Sequence, residues 1–136
     1  MAFSIEIDIG MVFIAAIANM GLGMLWYSQS VFGKRWLKLI GMRANHKLKD
    51  MGFLYSLVFV GSLLMAFLLE MVLGIIPESN GVTGLLLGFW AGIGLVVPTH
   101  LATYLFDPHH KSIGVYFINV GYYVVSLTMM GFLLSL

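Results

Sequence analysis

Cysteine is absent from the 136 residues, which excludes disulfides, thiolate metal sites and cysteine nucleophiles. Charge is scarce too. Only 10% of the chain is Asp, Glu, Lys or Arg and the net charge is +1, where soluble domains carry about 25% charged residues. Proline occurs 3 times. What is there is apolar: 60% of residues are hydrophobic and the mean hydropathy is +0.98. Such a chain has too few polar groups to cover its apolar surface in water, which excludes a soluble enzyme and a disordered linker. The near-zero net charge excludes a basic nucleic-acid module. An integral membrane protein remains, with residues 1–136 forming a single domain.

Stretches free of Asp, Glu, Lys and Arg run from Ile9 to Gly33, Met51 to Leu69, Ser79 to Phe106 and Ser112 to Leu136. A helix needs about 20 apolar residues to cross a hydrocarbon core of about 30 Å. Three stretches reach that length, and the second reaches it by continuing past Glu70. Backbone groups left unpaired in lipid are too costly, so the stretches should be helical. The period-two alternation of a membrane barrel is absent. The expected fold is therefore all-α, with four transmembrane helices near 9–29, 52–76, 83–106 and 112–135. All 7 basic residues fall on one side: Lys34, Arg35, Lys38, Arg43, Lys47 and Lys49 in the first connection, Lys111 in the third. The positive-inside rule puts that side in the cytoplasm and both termini outside, in a multi-pass protein of the cell membrane. Ala16-Ile17-Ala18 has the look of a processing site. Glu6 and Asp8 stand where a signal peptide is positive, so the first span is expected to be retained.

The first connection, about 30–50, is patterned. On a helical wheel Phe32, Trp36, Leu39 and Ile40 share one side, and Lys34, Arg35 and Lys38 the other. This predicts a short amphipathic helix in the cytoplasmic headgroup layer. Trp26, Lys34, Arg35, Trp36 and Lys38 are the candidate contacts to anionic lipid headgroups, about 1 kcal/mol for each basic residue. A simple anchoring role and a specific lipid or partner site both fit the pattern.

Lipid gives helices no hydrophobic reason to associate, so small residues that let backbones approach carry the packing. Gly84, Gly88 and Gly92 repeat every four residues in the third span, and the same face continues to Val96, His100 and Tyr104. Ala15, Asn19 and Gly23 repeat the spacing in the first span; Ser62, Ala66 and Glu70 do so in the second. These faces should meet inside the bundle or across a homo-oligomer.

Ionisable and polar residues within spans are costly and become functional candidates. Glu70 lies near the outer end of the second span, on a side without Lys or Arg. It must be protonated, reach the headgroups, bond a polar group, or pair with the terminal amine or another protein. His100, Thr103 and Tyr104 of the third span and Asn119 and Tyr122 of the fourth lie at similar depth. They form a candidate polar pocket that Pro98 would enrich by freeing a carbonyl. The alternative is that these groups only bond helix to helix. Asp107, His109 and His100 carry metal-ligand chemistry, but the adjacent His109 and His110 point in different directions and no second carboxylate is near, so no metal site is expected. Nucleophile–base, phosphate-loop and H-E-x-x-H patterns are absent.

From Trp26 to Trp36 the chain reads W-Y-S-Q-S-V-F-G-K-R-W. This resembles a bacterial family of small four-span membrane proteins of unknown function with the pattern W-Y-S-P-x-x-F-G-K-x-W. Pro98-Thr99, Asn119-x-Gly121-Tyr122 and Met130-Gly131 carry the likeness further, while Gln29 departs from the usual proline. The resemblance implies four spans, a bacterial inner membrane and no established activity. The expectation is a non-enzymatic membrane protein without cofactor, acting by helix association as a homo-oligomer or accessory subunit. The competing expectation is a small proton, ion or amphiphile transporter. A third, weaker one is a membrane-embedded metalloenzyme.

Overall fold

In a computed structural model the described residues are 4–42, 50–109 and 112–136. Arg43, Lys47, Lys49, His110 and Lys111 lie outside them. The described residues form helices α1 (Ile9–Trp26), α2 (Gly33–Ile40), α3 (Met51–Ile75), α4 (Gly81–Ala91), α5 (Val97–Leu105) and α6 (Ile113–Leu134). A π-helical segment, Gly92–Val96, joins α4 to α5. Four helices are long and apolar enough to cross a membrane: α1, α3, the continuous Gly81–Leu105 rod and α6. No strand occurs among the described residues.

Caps fix where the spans begin. Asp8 accepts from the Met11 N–H, Asn80 from the N–H groups of Val82 and Thr83, and Ser112 from the Gly114 N–H. Each supplies an acceptor to donors that the first helical turn leaves unpaired. The first span stops at Trp26, three residues before the expected end, because the chain turns there. The Phe32 N–H reaches the Trp26 carbonyl at 3.0 Å and the Gly33 N–H reaches that of Ser28 at 2.8 Å. A Cβ at Gly33 would lie 2.2 Å from the Tyr27 carbonyl oxygen, so only glycine fits this turn. The amphipathic helix follows directly as α2 and ends at Gly41, whose φ of 76° is the left-handed conformation that terminates helices.

α6 is the centre of the bundle. In its span 44% is buried, against 17 to 28% in the other three. α4 lies along one side of it, α1 and α3 along the other, and α2 folds back onto its first half. The core is apolar and sits at the end away from α2: Val12 and Ala15 of α1, Ala66, Leu69 and Leu73 of α3, and Leu127, Met130 and Leu134 of α6. At the α2 end the packing loosens. Every residue of α3 from 51 to 58 is exposed and α5 contributes no buried residue.

The glycine face of α4 packs within the chain. A Cβ on Gly84 would stand 2.0 Å from the Gly131 carbonyl oxygen, one on Gly88 1.9 Å from that of Leu127, and one on Gly92 2.9 Å from the Val124 Cα. Gly131 answers from α6, where a Cβ would lie 2.1 Å from the Gly84 carbonyl oxygen. Two backbones therefore meet with nothing between them, as small-residue spacing allows.

A four-residue repeat drifts about 40° per step on an α-helix, and five steps would swing Tyr104 far round from Gly84. The π segment takes up an additional residue, with the Val97 N–H bonded to the Gly92 carbonyl. That returns the lower half of the rod to α6: His100 lies against Tyr123 (ring centroids 5.1 Å) and Tyr104 against Tyr116 (5.7 Å). At the end of the segment, side chains bond the main chain at three successive carbonyls. Thr99 donates to Leu95, the His100 ring meets Val96 at 3.2 Å, and the Tyr116 hydroxyl donates to Val97 at 2.9 Å. Irregular backbone at membrane depth is compensated in this way.

Candidate functional site

Two polar clusters occupy the interior, and both centre on asparagine. Asn19 of α1 is 1% exposed. Its amide donates to the Ser62 hydroxyl of α3 at 2.7 Å. Its side-chain oxygen accepts from the Tyr122 hydroxyl of α6 at 2.9 Å and from the Ser126 hydroxyl. The Ser62 hydroxyl in turn donates to the Val58 carbonyl at 3.0 Å. One amide thus joins three spans, with its donor and acceptor sides both engaged. The sequence marked Asn19 and Ser62 as parts of two packing faces without pairing them, and Ser126 completes the set from α6. All three sit near mid-span, and matched depth was the available signal.

The second cluster lies at the α2 end. Asn119 of α6 accepts through its side-chain oxygen from the Tyr27 hydroxyl at 2.8 Å and from the Trp36 indole N–H at 3.1 Å. Next to it the Trp26 indole N–H donates to the Ile118 carbonyl at 3.0 Å. Trp26 and Trp36 therefore turn their polar edges into the protein instead of toward headgroups, while Lys34, Arg35 and Lys38 stay exposed. The turn between α1 and α2 is in effect buttoned to α6 by three aromatic side chains.

The expected polar pocket separates into parts. Asn119 binds the α1–α2 turn, Tyr122 belongs to the Asn19 cluster, and His100, on α5, bonds its own helix at Val96. Thr103 is exposed and donates to the Thr99 carbonyl at 3.2 Å. What connects these parts is a run of rings: His100 to Tyr123 (5.1 Å), Tyr123 to Tyr122 (5.1 Å), Tyr122 to Tyr27 (5.6 Å) and Tyr27 to Trp36 (5.5 Å). Beside this run is a cleft of about 400 Å³ between α1, α3 and α6, lined by Met20, Met24, Tyr27, Tyr55, Val58 and Tyr123 among others.

Glu70 is at the other end of the bundle. It is 8% exposed, and its Oε1 accepts from the Asp8 N–H at 3.1 Å, which sets its carboxyl group at the start of α1. Oε2 has no hydrogen-bond partner among the described residues. Of the roles open to Glu70, the bond to a polar group is the one observed. In the third connection Asp107 accepts from the His109 N–H at 2.8 Å, the geometry of a polar turn. No group of three metal-ligating side chains occurs among the described residues.

The packing residues all face inward. Ala15 and Asn19 are buried, Gly23 abuts the Tyr122 hydroxyl, and Ser62, Ala66 and Glu70 are buried on α3. Association with a second copy therefore cannot use the glycine faces.

No curated protein and no solved structure matches this chain. One family model does, over residues 11–135, which takes in all four spans and both asparagine clusters. The chain belongs to that family, DUF1761, described as proteins of unknown function.

Proposed function

We propose that this chain is a non-enzymatic membrane protein that acts by associating with a second copy of itself through the loosened, α2 end of the bundle. The observation that carries this reading is the first two turns of α3. All eight residues from Met51 to Val58 are exposed, although the same helix is buried along one face farther on. Two such segments laid against each other would cover one another's Leu54 and Leu57 and give the exposed Tyr55 hydroxyl a place to bond. Asn19, Ser62, Tyr122 and Ser126, deeper in the bundle, bond one another, which favours a packed scaffold over a path for ions.

The absence of cysteine makes the test clean. Leu57→Cys, oxidised in native membranes, is expected to give a disulfide-linked dimer. Ile17→Cys, exposed on α1, is expected to give little. Equal crosslinking at both positions would mean random collision and refute the proposal, as would a lone monomer by mass analysis in mild detergent. The proposed setting is a bacterial inner membrane with the α2 end in the cytoplasm, supported by the one-sided basic residues. Labelling of Lys34→Cys by an impermeant thiol reagent added to intact cells would reverse that orientation.

A second reading, handling of a small amphiphile, is favoured by the 400 Å³ cleft, which lies within the size range of ligand sites. Uptake into proteoliposomes that is abolished by Tyr123→Phe and Tyr55→Phe would support it.

A further inference from the structure

On the other side of the α1–α2 turn lies a second groove, about 380 Å³, between α2 and α6. Trp26, Phe32, Arg35, Gly114, Phe117 and Gly121 line it. Its floor is open because two glycines, one heptad apart on α6, carry no side chain. A Cβ on Gly121 would come within 3.2 Å of the Trp26 ring, and one on Gly114 within 2.9 Å of the Leu39 Cδ1. Phe117, 64% exposed, stands between them. The Trp26 indole N–H on the wall is already spent on the Ile118 carbonyl. The groove is thus apolar and aromatic except at Arg35, which is exposed and has no acidic partner among the described residues. Lys34 and Lys38 flank it on α2, which carries no acidic residue.

These features specify the occupant. A guanidinium presents a planar pair of donors suited to two oxygens of a phosphate. The aromatic walls beneath it need an apolar body, which free phosphate lacks. An acyl chain without a head would leave the Arg35 charge unmatched. We infer that this groove seats one anionic phospholipid, its phosphate on Arg35 and an acyl chain between Phe117 and Trp26. The site is distinct from the α3 surface proposed for self-association, and neither depends on the other.

The test uses the purified full chain in detergent micelles, with phosphatidylglycerol or phosphatidylcholine of the same acyl chains added. The one-lipid adduct is read by native mass spectrometry. A seated anionic lipid is expected to favour phosphatidylglycerol by about tenfold, a preference lost in Arg35→Gln and cut several-fold in Arg35→Lys, which keeps the charge but loses the fork. Lys34→Gln and Lys38→Gln should each change it by less than about twofold. Phe117→Ala should lower retention of both lipids and leave their ratio standing, since it removes a wall and no charge. Added inorganic phosphate should not displace the lipid. The inference fails if Arg35→Lys matches the native chain, if the three glutamine variants are equivalent, or if phosphate alone competes. Each of those outcomes means diffuse attraction or a bare anion site. Arg35 and Phe117 are both exposed, so these variants should fold.

Discussion

Replacing Gly88 by alanine puts the central packing claim at risk. The new Cβ would sit 1.9 Å from the Leu127 carbonyl oxygen, 2.5 Å from its carbon and 2.8 Å from the Thr128 Cα. All three atoms are main chain of α6, so no rotamer change relieves them. Ordinary contact lies near 3.5 Å, so α4 and α6 must separate by about 1.5 Å. That retreat also parts Gly84 from Gly131, where the same closeness holds on the next turn. Overpacking usually costs about 1–3 kcal/mol, and with two backbone contacts opened together the upper end, about 3 kcal/mol, is expected. Gly61→Ala is the control: it lies on α3 and a Cβ there meets nothing within 4 Å. Both changes carry the same gain in helix propensity, so their difference isolates the packing. Equilibrium unfolding from mild detergent into dodecyl sulfate, followed by circular dichroism, supplies the free energies. Gly92→Ala, at 2.9 Å from the Val124 Cα, should fall between the two. If Gly88→Ala and Gly61→Ala unfold at the same dodecyl sulfate fraction, the α4–α6 contact is not as close as described and the reasoning is wrong.

Three further outcomes are expected. Asn19→Ala removes three side-chain hydrogen bonds, at about 0.6 kcal/mol each in membranes, so unfolding in the same assay should become easier by about 2 kcal/mol; no change would mean the buried hydroxyls rebond among themselves. Asn119→Ala releases Tyr27 and Trp36, two bonds together worth about 1.2 kcal/mol. Amide hydrogen exchange in α2 should then speed up by roughly eightfold while that in α4 is unaffected. Glu70→Gln keeps an acceptor for the Asp8 N–H and should alter stability by less than about 1 kcal/mol, the scale of a helix-end charge effect. Glu70→Ala strands that donor and should cost about 1–3 kcal/mol.

Where the long apolar helices lie along the chain was legible in the sequence; rotation about the helix axis was only partly so. Charge-free stretches placed the four spans to within a few residues, because burying a charge in lipid costs more than any local preference. The largest discrepancy, the early end of α1 at Trp26, arose because charge says nothing about turns, and the turn depends on Gly33 fitting under the Tyr27 carbonyl. Spacing identified the faces of Gly84, Gly88 and Gly92 and of Ala15, Asn19 and Gly23 as contact surfaces. It could not say which helix each would meet, since Gly131 and Leu127 match them only in three dimensions. His100 and Asn119 were set at one depth and then parted. Their bearings depend on a π segment invisible to a helical wheel and on a fold-back of α2 that gives Asn119 to Tyr27 and Trp36. Ser62 was read as a small, packing residue, and it is its hydroxyl, with that of Ser126 on α6, that completes the coordination of Asn19.

The placement of α6 has a consequence for biogenesis. Proteins are synthesised from the N-terminus, and the span on which all others lean is the last of the four to leave the ribosome. Until it enters the bilayer, the Asn19 oxygen lacks both hydroxyls that α6 supplies, and the glycines of α4 face lipid with no backbone to approach. The earlier helices therefore wait as an unfinished intermediate. A ribosome halted before residue 113 should leave a product that membrane quality control removes, while one released after residue 134 should leave a bundle that survives.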